Sequence, residues 1–393
     1  MLRWAWRHRR SIAVTAVVGG GAAYGAYYLY RKKRELDELV ESLGLQQLLS
    51  GGGSASGASS SASREERVRE HFSDMQREAD RLLIEALPRL QEQVAALFVT
   101  DSLQERLRAE GPSAEPAQWH ELKVLVVSRL LTAQYALVLT LLAVRIRLNI
   151  IGRHYLLEAQ ATAEGTRLEG ALTKLTKKRF LSMEHLLGEG VQPLQQRVTA
   201  AVRAHLAAEM DGVPSKETFF RELCTSSVSA EQAVEALLPI RAELERGLTE
   251  SNGGDPAADA THDSLLRSFL LEEQQRAHGK LAEGDQLHEL LGEVHGLVSG
   301  TAFRITLDDV LETAFATVGA QLSLAAGGSS PAAATANGGA PATPPGASLT
   351  RVKLLAKYKQ LATSTLGGLE PYTAQLLEVP SLEEFCFMVY SGE

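Results

Sequence analysis

The feature that most constrains the fold is one long apolar run, Trp119 to Ile151, which reads WHELKVLVVSRLLTAQYALVLTLLAVRIRLNII. A helix that is apolar on nearly every face is either the centre of a helical bundle or a membrane span. Arg129 and Arg145 leave fifteen residues between them, about 22 Å of helix, which is short of a ~30 Å hydrocarbon core. Four polar side chains would also need partners in lipid: Ser128, Thr132, Gln134 and Thr140. The run favours a buried central helix, with a second membrane span as the alternative.

A second uncharged block lies near the N-terminus, where residues 11–30 separate Arg10 from Arg31. Twenty helical residues extend about 30 Å, enough to cross a bilayer. A signal peptide would be shorter, richer in Leu and without the basic residues 31–34, and a presequence would distribute its arginines along an amphipathic helix. Residues 1–34 therefore predict an uncleaved transmembrane anchor that contacts lipid through residues 11–30. Gly21 and Gly25 form a GxxxG that leaves helix pairing open.

Charge divides the chain into a basic end and an acidic body. The net charge of -8 combines eight basic residues and no acid in residues 1–34 with 32 basic and 48 acidic residues in the remainder. An acidic body argues against nucleic-acid binding, which requires a surplus of Lys and Arg. The only two cysteines, Cys224 and Cys386, fit a reducing compartment better than a disulfide scaffold. The body is therefore expected in the cytosol, although equal basic flanks leave the orientation of the anchor open.

The body reads as helices interrupted by low-complexity segments. Residues 35–63 are a predicted linker with a Gly/Ser-rich stretch at 51–63, and residues 325–349 are a predicted disordered Ala/Gly/Pro-rich insert in a helical domain, 64–393. A helical stripe follows residue 64, before Pro88, which is expected to kink or end the helix; its members are Val68, Phe72, Met75, Ala79, Leu82 and Ala86.

Helix-start signals recur farther along the chain. Three Ser/Thr residues stand three positions before an acid or amide, as in a capping box; the pairs are Ser229 with Gln232, Thr306 with Asp309, and Ser381 with Glu384. Sustained alternation of period two, the pattern of strands, is absent. The sequence predicts an all-α body of six to nine helices.

Motifs for chemistry are missing. The chain carries no CxxC, HExxH, phosphate-binding loop or nucleophile elbow, and its ten histidines lack ligand spacing. We therefore predict no catalytic residue, no metal, no cofactor and no enzymatic activity. Trp119 follows a break at Gly111, Pro112 and Pro116, and two helices joined in this way could leave a groove for an amphipathic partner helix. Ordinary core packing of Trp119 is the alternative.

Several short elements follow one another along the chain. They are the basic start MLRWAWRHRR before a Gly-rich span, His71-Phe72 with Gln76, Trp119-His120-Glu121-Leu122-Lys123, the run 144–152 reading VRIRLNIIG, Phe180-Leu181-Ser182 with the HLLGEG element 185–190, and a looser set over 352–390. In this order they resemble the peroxisomal biogenesis factor 3 (peroxin-3) family of membrane-anchored docking receptors. The resemblance implies an elongated helical bundle around a long central buried helix, with one N-terminal transmembrane helix.

The resemblance also implies a function and a site. The function is peroxisome biogenesis, through docking of the cytosolic receptor peroxin-19 and support for insertion of its membrane-protein cargo. An amphipathic helix of peroxin-19 would dock on an exposed Trp119, with Leu107, Leu122 and Lys123 beside it. Helical spacing adds Leu103 and Val126 to this set. Family members carry a lysine where this chain has Glu115.

The implied location is the peroxisomal membrane, which the chain would cross once with its C-terminal domain in the cytosol. Transit through the endoplasmic reticulum is left open. An organelle tether or adaptor is the alternative function. It would use the helical domain as a docking platform, through the basic stretch from Lys174 to Arg179. A solvated helix face is the other interpretation of that stretch.

Overall fold

The structure is a computed structural model that describes residues 59–163, 165, 171–207, 215–249, 283–326, 348–367 and 373–392. The predicted anchor, most of the predicted linker and most of the insert 325–349 lie outside the described residues. The first described helix begins at Ser59 and a short strand begins at Ser348, so regular structure extends a few residues into both low-complexity segments.

Helices account for most of the described chain. In order they are α1 (Ser59–Leu97), α2 (Asp101–Glu110), the 3-10 helix η1 (Gly111–Ser113), α3 (Pro116–Ala163), α4 (Lys174–Phe180), α5 (Val191–Leu206), α6 (Lys216–Thr225), α7 (Ala230–Glu235), α8 (Leu238–Thr249), α9 (Glu283–Ser299), α10 (Thr301–Ala325), α11 (Arg351–Thr365), α12 (Ala374–Leu377) and α13 (Pro380–Ser391). This confirms the all-α fold class. The number of helices exceeds the prediction because α4, α7 and α12 have only 7, 6 and 4 residues, too few for a periodic signal.

One small ladder of strands interrupts the helices. Strand β1 (Ser227–Ser229) pairs antiparallel with β2 (Ser348–Thr350), with Val228 opposite Leu349. A strand of three residues is too short to show the alternation of polar and apolar residues by which strands are recognised, so this pairing could not be predicted from the sequence.

Helix α3 is the central helix that the apolar run predicts. It has 48 residues, beginning at Pro116 and ending at Ala163. Among the described residues it is the single helix long and apolar enough to cross a membrane, but 94% of its most apolar eighteen-residue stretch is buried inside the protein. Arg129 and Arg145 are buried too. The long central buried helix is therefore confirmed.

The chain divides into two compact units. Among the described residues, the larger consists of 68–153 and those from 181 onward, and the smaller of those before 68 together with those within 154–180. In the smaller unit the ammonium of Lys177 lies 3.0 Å from the Glu158 carboxylate and 3.9 Å from the centre of the Tyr155 ring. Burial raises the pKa of Tyr155 to about 12. Lys177 is buried, so the basic stretch is not solvated along its whole length.

Helix α1 departs from its prediction in two places. Leu83, rather than the predicted Leu82, is fully buried. The helix also continues through Pro88 to Leu97, so Pro88 does not end it, and a kink is the part of that expectation that stays a prediction. Pro88 is exposed, and water can reach the backbone carbonyl that a mid-helix proline leaves unpaired.

One of the three predicted caps is confirmed. The Ser229 hydroxyl accepts from the Gln232 N–H, and the Gln232 side chain accepts from the Ser229 N–H, both at 3.1 Å. The other two predictions are wrong. Thr306 lies inside α10, where its hydroxyl donates to the Ala302 carbonyl at 2.9 Å, and Ser381 is the second residue of α13.

Family-like elements meet where α1, α3 and α13 come together; we call this cluster the junction, and it comprises His71, Phe72, Gln76, Asp80, Arg145, Asn149 and Tyr390. The Gln76 amide donates to Asn149 Oδ1 at 2.7 Å, and the Asn149 amide donates to the Arg145 carbonyl at 2.8 Å. The Arg145 guanidinium donates to both Gln76 and Asp80. Burial raises the pKa of the Asp80 carboxyl, and the Arg145 charge partly offsets that rise.

The aromatic side of the junction joins α1 to α13. The Tyr390 hydroxyl and His71 Nδ1 share a hydrogen bond of 2.6 Å. The Phe72 ring lies 5.4 Å from both the Tyr390 and the Phe387 rings. The His-Phe and Arg-x-x-x-Asn elements thus hold helices to one another in the larger unit.

Candidate functional site

The break before α3 sets the position of the candidate site. Gly111 ends α2 with φ +53° and donates its N–H to the Leu107 carbonyl. A positive φ favours glycine, which has no Cβ to clash. After η1, Pro116 occupies the first position of α3, where proline's fixed φ is already helical and its missing N–H is not needed. Trp119 therefore stands in the first turn of α3.

The predicted site residues are placed on two helices. Trp119, Leu122 and Val126 share one face of α3, because positions three and seven residues apart coincide on a helix. Leu122 and Val126 are buried. On α2, Leu107 is buried and Leu103 is partly exposed, and Lys123 on α3 is also partly exposed.

Trp119 is less accessible than a docking role predicts. Only 9% of its surface is exposed, and the ring of Phe220 on α6 lies 6.0 Å from it at an angle of 52°. The expectation of an exposed Trp119 is therefore wrong for this state of the protein. The indole N–H is buried, and no acceptor within the described part of the chain reaches it. A buried unpaired donor costs about 1–3 kcal/mol.

Helix α6 is the part of the site that the sequence analysis missed. It packs on η1, α11 and β2. Phe219 and Phe220 are partly exposed, and Leu223 is the single buried residue of the helix. The sequence signal for this helix was the spacing of its three apolar residues, Phe219, Phe220 and Leu223, at i, i+1 and i+4. Nothing in the sequence around them connects them with Trp119.

Ion pairs surround the apolar residues. Glu115, where family members carry lysine, pairs with Lys216 at the start of α6. Glu121 on α3 pairs with Arg203 on α5 at 2.7 Å. These contacts place charges of both signs around Trp119.

Helix α2 is tied to α11 beside the site. Lys359 donates to Gln104 at 2.8 Å and to the Asp101 carboxylate. The hydrogen bond from Lys359 to the Asp101 carboxylate, together with the positive charge of Lys359, lowers the pKa of Asp101.

Chemistry other than binding finds little support in the described ranges. They contain no group of three His, Cys, Asp or Glu residues that could hold a metal ion. An open cleft of about 740 Å³ lies beside α10 and α12, with Asp309, Glu312 and Glu378 in its lining. None of the six predicted site residues lines it.

These observations define an all-α protein built on one long buried helix, with a tryptophan-centred apolar site at the start of that helix. A sequence model of the family described as Peroxin-3 matches residues 115–392, well over half of the chain, and the chain belongs to that family. The match begins one residue before α3 and leaves Leu103 and Leu107 outside it.

Individual relatives agree with the family match. The chain is 23% identical to mouse peroxisomal biogenesis factor 3 over 323 residues, which are 80% of this chain and 77% of that protein. Its similarity to the human protein is 26% identity over 212 residues, or 53% of this chain and 52% of the relative. Its similarity to peroxisome biogenesis protein 3-1 of Arabidopsis thaliana is 27% identity over 217 residues, or 52% of this chain and 56% of the relative. The last two alignments span about half of each relative. Family membership supports a role in peroxisome biogenesis and implies a protein of the peroxisomal membrane.

Proposed function

We propose that the chain is a membrane-anchored docking receptor that binds an amphipathic helix of peroxin-19 at Trp119 and supports insertion of peroxisomal membrane-protein cargo. The observation that carries the proposal is the tryptophan at the start of α3, which shares one face with Leu122 and Val126 and has an indole N–H without an acceptor among the described residues. In this proposal the chain crosses the membrane once, through residues 11–30, and the helical domain lies in the cytosol.

A helical partner fits the site because a helix of the chain itself contacts Trp119 there. Phe220 of α6 packs its ring against the indole, which is the contact that an aromatic or aliphatic anchor of an incoming helix would make. A tryptophan in a desolvated pocket is a frequent dominant anchor of protein interfaces. A few such anchors give affinities from micromolar to nanomolar.

Polar groups around the apolar residues support recognition rather than catalysis. Protein interfaces combine an apolar centre with a charged rim, and Lys123, Glu115 and Glu121 are partly or fully exposed next to Trp119 in sequence. In this proposal Leu103 and Lys123 contact the partner at the edge of the site, and Leu107, Leu122 and Val126 form its floor. The activity is binding, without a chemical step.

The decisive experiment measures affinity with the full chain in detergent micelles. Binding of a fluorescently labelled N-terminal peroxin-19 peptide is followed by anisotropy for the unmodified protein and for Trp119→Ala. Loss of a dominant anchor is expected to weaken binding about 30-fold or more. The matched control is Phe387→Ala, which removes an exposed aromatic side chain on α13 and should leave affinity unchanged. Unchanged affinity in a folded Trp119→Ala variant would contradict the proposal.

The proposed location is tested separately. A fusion of residues 1–45 to a fluorescent reporter should mark peroxisomes in cells. A mitochondrial signal would contradict the anchor assignment without affecting the docking site.

A further inference from the structure

We propose that α6 is a displaceable cover on the Trp119 site, which the partner helix must move aside before it can bind. This inference rests on the proposed docking function and adds its regulation. In the structure the centre of the Phe220 ring lies 6.0 Å from that of the Trp119 ring, at the site where the proposed partner would bind.

The first support is the state of Trp119. Its side chain is 9% exposed and its N–H is buried, while the described residues offer that N–H no acceptor. Other buried polar atoms of α3, among them Arg129 Nε and Arg145 Nε, also lack a partner among the described residues, so the indole N–H is available to an acceptor but does not by itself indicate one. The contact between α6 and Trp119 covers the indole ring, but no described residue of α6 accepts a hydrogen bond from its N–H.

The second support is how little of α6 is buried, although the helix packs on η1, α11 and β2. Of its ten residues, Leu223 alone is buried. At the N-terminal end, the side chains of Lys216 and Glu115 form an ion pair while remaining 50% and 55% exposed. An ion pair that is so exposed contributes little to stability.

The third support is a firm attachment at the opposite end. The Ser226 carbonyl at this end accepts from the N–H of Arg351, the first residue of α11, at 3.3 Å. The next residue, Ser227, begins β1 and pairs with Thr350 of β2. A helix that is fixed at one end and lightly held at the other can swing about the fixed end, as hinged lids do; Ser226 is the hinge.

A cover of this kind lowers the apparent affinity for the partner. The measured dissociation constant equals the intrinsic one divided by the fraction of molecules in which the site is open. A change that weakens the cover without altering Trp119 should therefore tighten binding, whereas a change to the docking surface weakens it. The two effects have opposite signs, which makes them separable.

The first test replaces the covering ring in the full chain in micelles, with the labelled peroxin-19 peptide as the probe. Phe220→Ala should bind roughly three- to tenfold more tightly, because the open fraction rises. The matched control is Phe219→Ala, which removes a ring of the same size from the neighbouring position and should change affinity less than about twofold. Circular dichroism establishes that both variants are folded.

The second test opens the cover without removing apolar surface. Lys216→Glu places two like charges at the N-terminal end of α6 and should tighten binding about twofold. The matched control is Lys216→Arg, which keeps the ion pair between this position and Glu115 and should leave affinity unchanged. Because both side chains are exposed, this test stands even if Phe220→Ala fails to fold.

The outcomes separate the cover from the docking site. If Trp119→Ala loses binding while Phe220→Ala and Lys216→Glu bind no more tightly than the unmodified chain, the cover is refuted and the docking site stands. If Phe220→Ala binds more weakly, Phe220 belongs to the docking surface and the cover is again refuted. If Trp119→Ala binds normally, the docking function itself fails.

Discussion

The junction and the Trp119 site lie on the same helix and treat their buried groups in opposite ways. At the junction, Gln76, Arg145 and Asn149 donate to one another or to Asp80. At the Trp119 site the indole N–H has no acceptor among the described residues, and its cover is a helix with one buried residue. Apart from Arg145 Nε, the buried polar groups named at the junction are paired with one another, whereas the indole N–H at the Trp119 site has no acceptor among the described residues.

This difference separates two kinds of family-like elements. The His-Phe element and the run around Arg145 and Asn149 connect α1, α3 and α13, so their residue types serve the fold. At the tryptophan element no described residue accepts from the indole N–H, which is unfavourable in the free protein and would become favourable if the proposed partner supplied an acceptor. Substitutions at the junction should therefore change stability, and substitutions at the Trp119 site should chiefly change binding.

The largest expected effect is at the junction. Arg145→Met keeps much of the side-chain volume but removes the partner of Asp80 and Gln76, and should lower the free energy of unfolding by about 3 kcal/mol. Urea denaturation measures the change. Arg77→Met removes an exposed ion pair with Asp74 and should cost less than about 1 kcal/mol. Equal effects of the two variants would contradict the role assigned to the junction.

A smaller effect is expected on its aromatic side. Tyr390→Phe removes the 2.6 Å hydrogen bond to His71 and should lower the unfolding free energy by about 1 kcal/mol. The control is Tyr135→Phe, since the Tyr135 hydroxyl lies 3.4 Å from its acceptor, the Arg241 carbonyl, and a bond of that length is weak. If Tyr135→Phe lowered the unfolding free energy more than Tyr390→Phe, the assumption that the shorter hydrogen bond contributes more to stability would be contradicted.

The Trp119 site should respond in the opposite sense. Trp119→Phe removes an unpaired donor and shrinks the ring, two effects that offset one another, so the unfolding free energy should change by less than about 1 kcal/mol. Affinity for the peroxin-19 peptide should fall up to about tenfold if the partner accepts from the indole. Paired denaturation and anisotropy measurements test both statements. A large loss of stability with unchanged affinity would make Trp119 an ordinary core residue.

The smallest expected effect concerns pH. The pKa of Asp101 is lowered by Lys359, so its contribution to stability is present above the ordinary pKa of 3.8 and is lost as pH falls toward the folded-state pKa. The pKa of Asp80 is raised by burial, so its contribution grows as pH falls. Asp101→Asn should flatten the acid-side loss of stability, and Asp80→Asn should steepen it. Urea midpoints between about pH 3 and 6 measure both slopes, and the same slope change in both variants would contradict the assignment.

The central helix was predictable because its signal is local and long. The distance between Arg129 and Arg145 argued against a membrane span, and the fold supplies the partners that those charges need: Asp80 and Gln76 for Arg145, and Thr363, 3.5 Å away, for Arg129. The capping box at Ser229 was equally local. Thr306 carried the same pattern without capping, because the helix around it had already begun at Thr301.

Contacts between distant parts of the chain were not predictable. Phe220 covers Trp119 from 101 residues away in sequence, and periodicity within α3 says which face is apolar but not what lies against it. The β1 and β2 pairing joins strands of three residues more than 100 positions apart. These contacts became visible only in the tertiary structure, because the spacing of residues does not say which distant segments of the chain pack together.

The buried arginines of α3 also bear on how the newly made chain is sorted. Without both of them, residues 124–146 would form an uncharged stretch of 23 residues, about 34 Å of helix and long enough to be inserted as a membrane span. Arginine near the centre of a span opposes insertion by several kcal/mol. The two charges therefore oppose insertion of this stretch as a membrane span, Arg129 more than Arg145, which stands at its end.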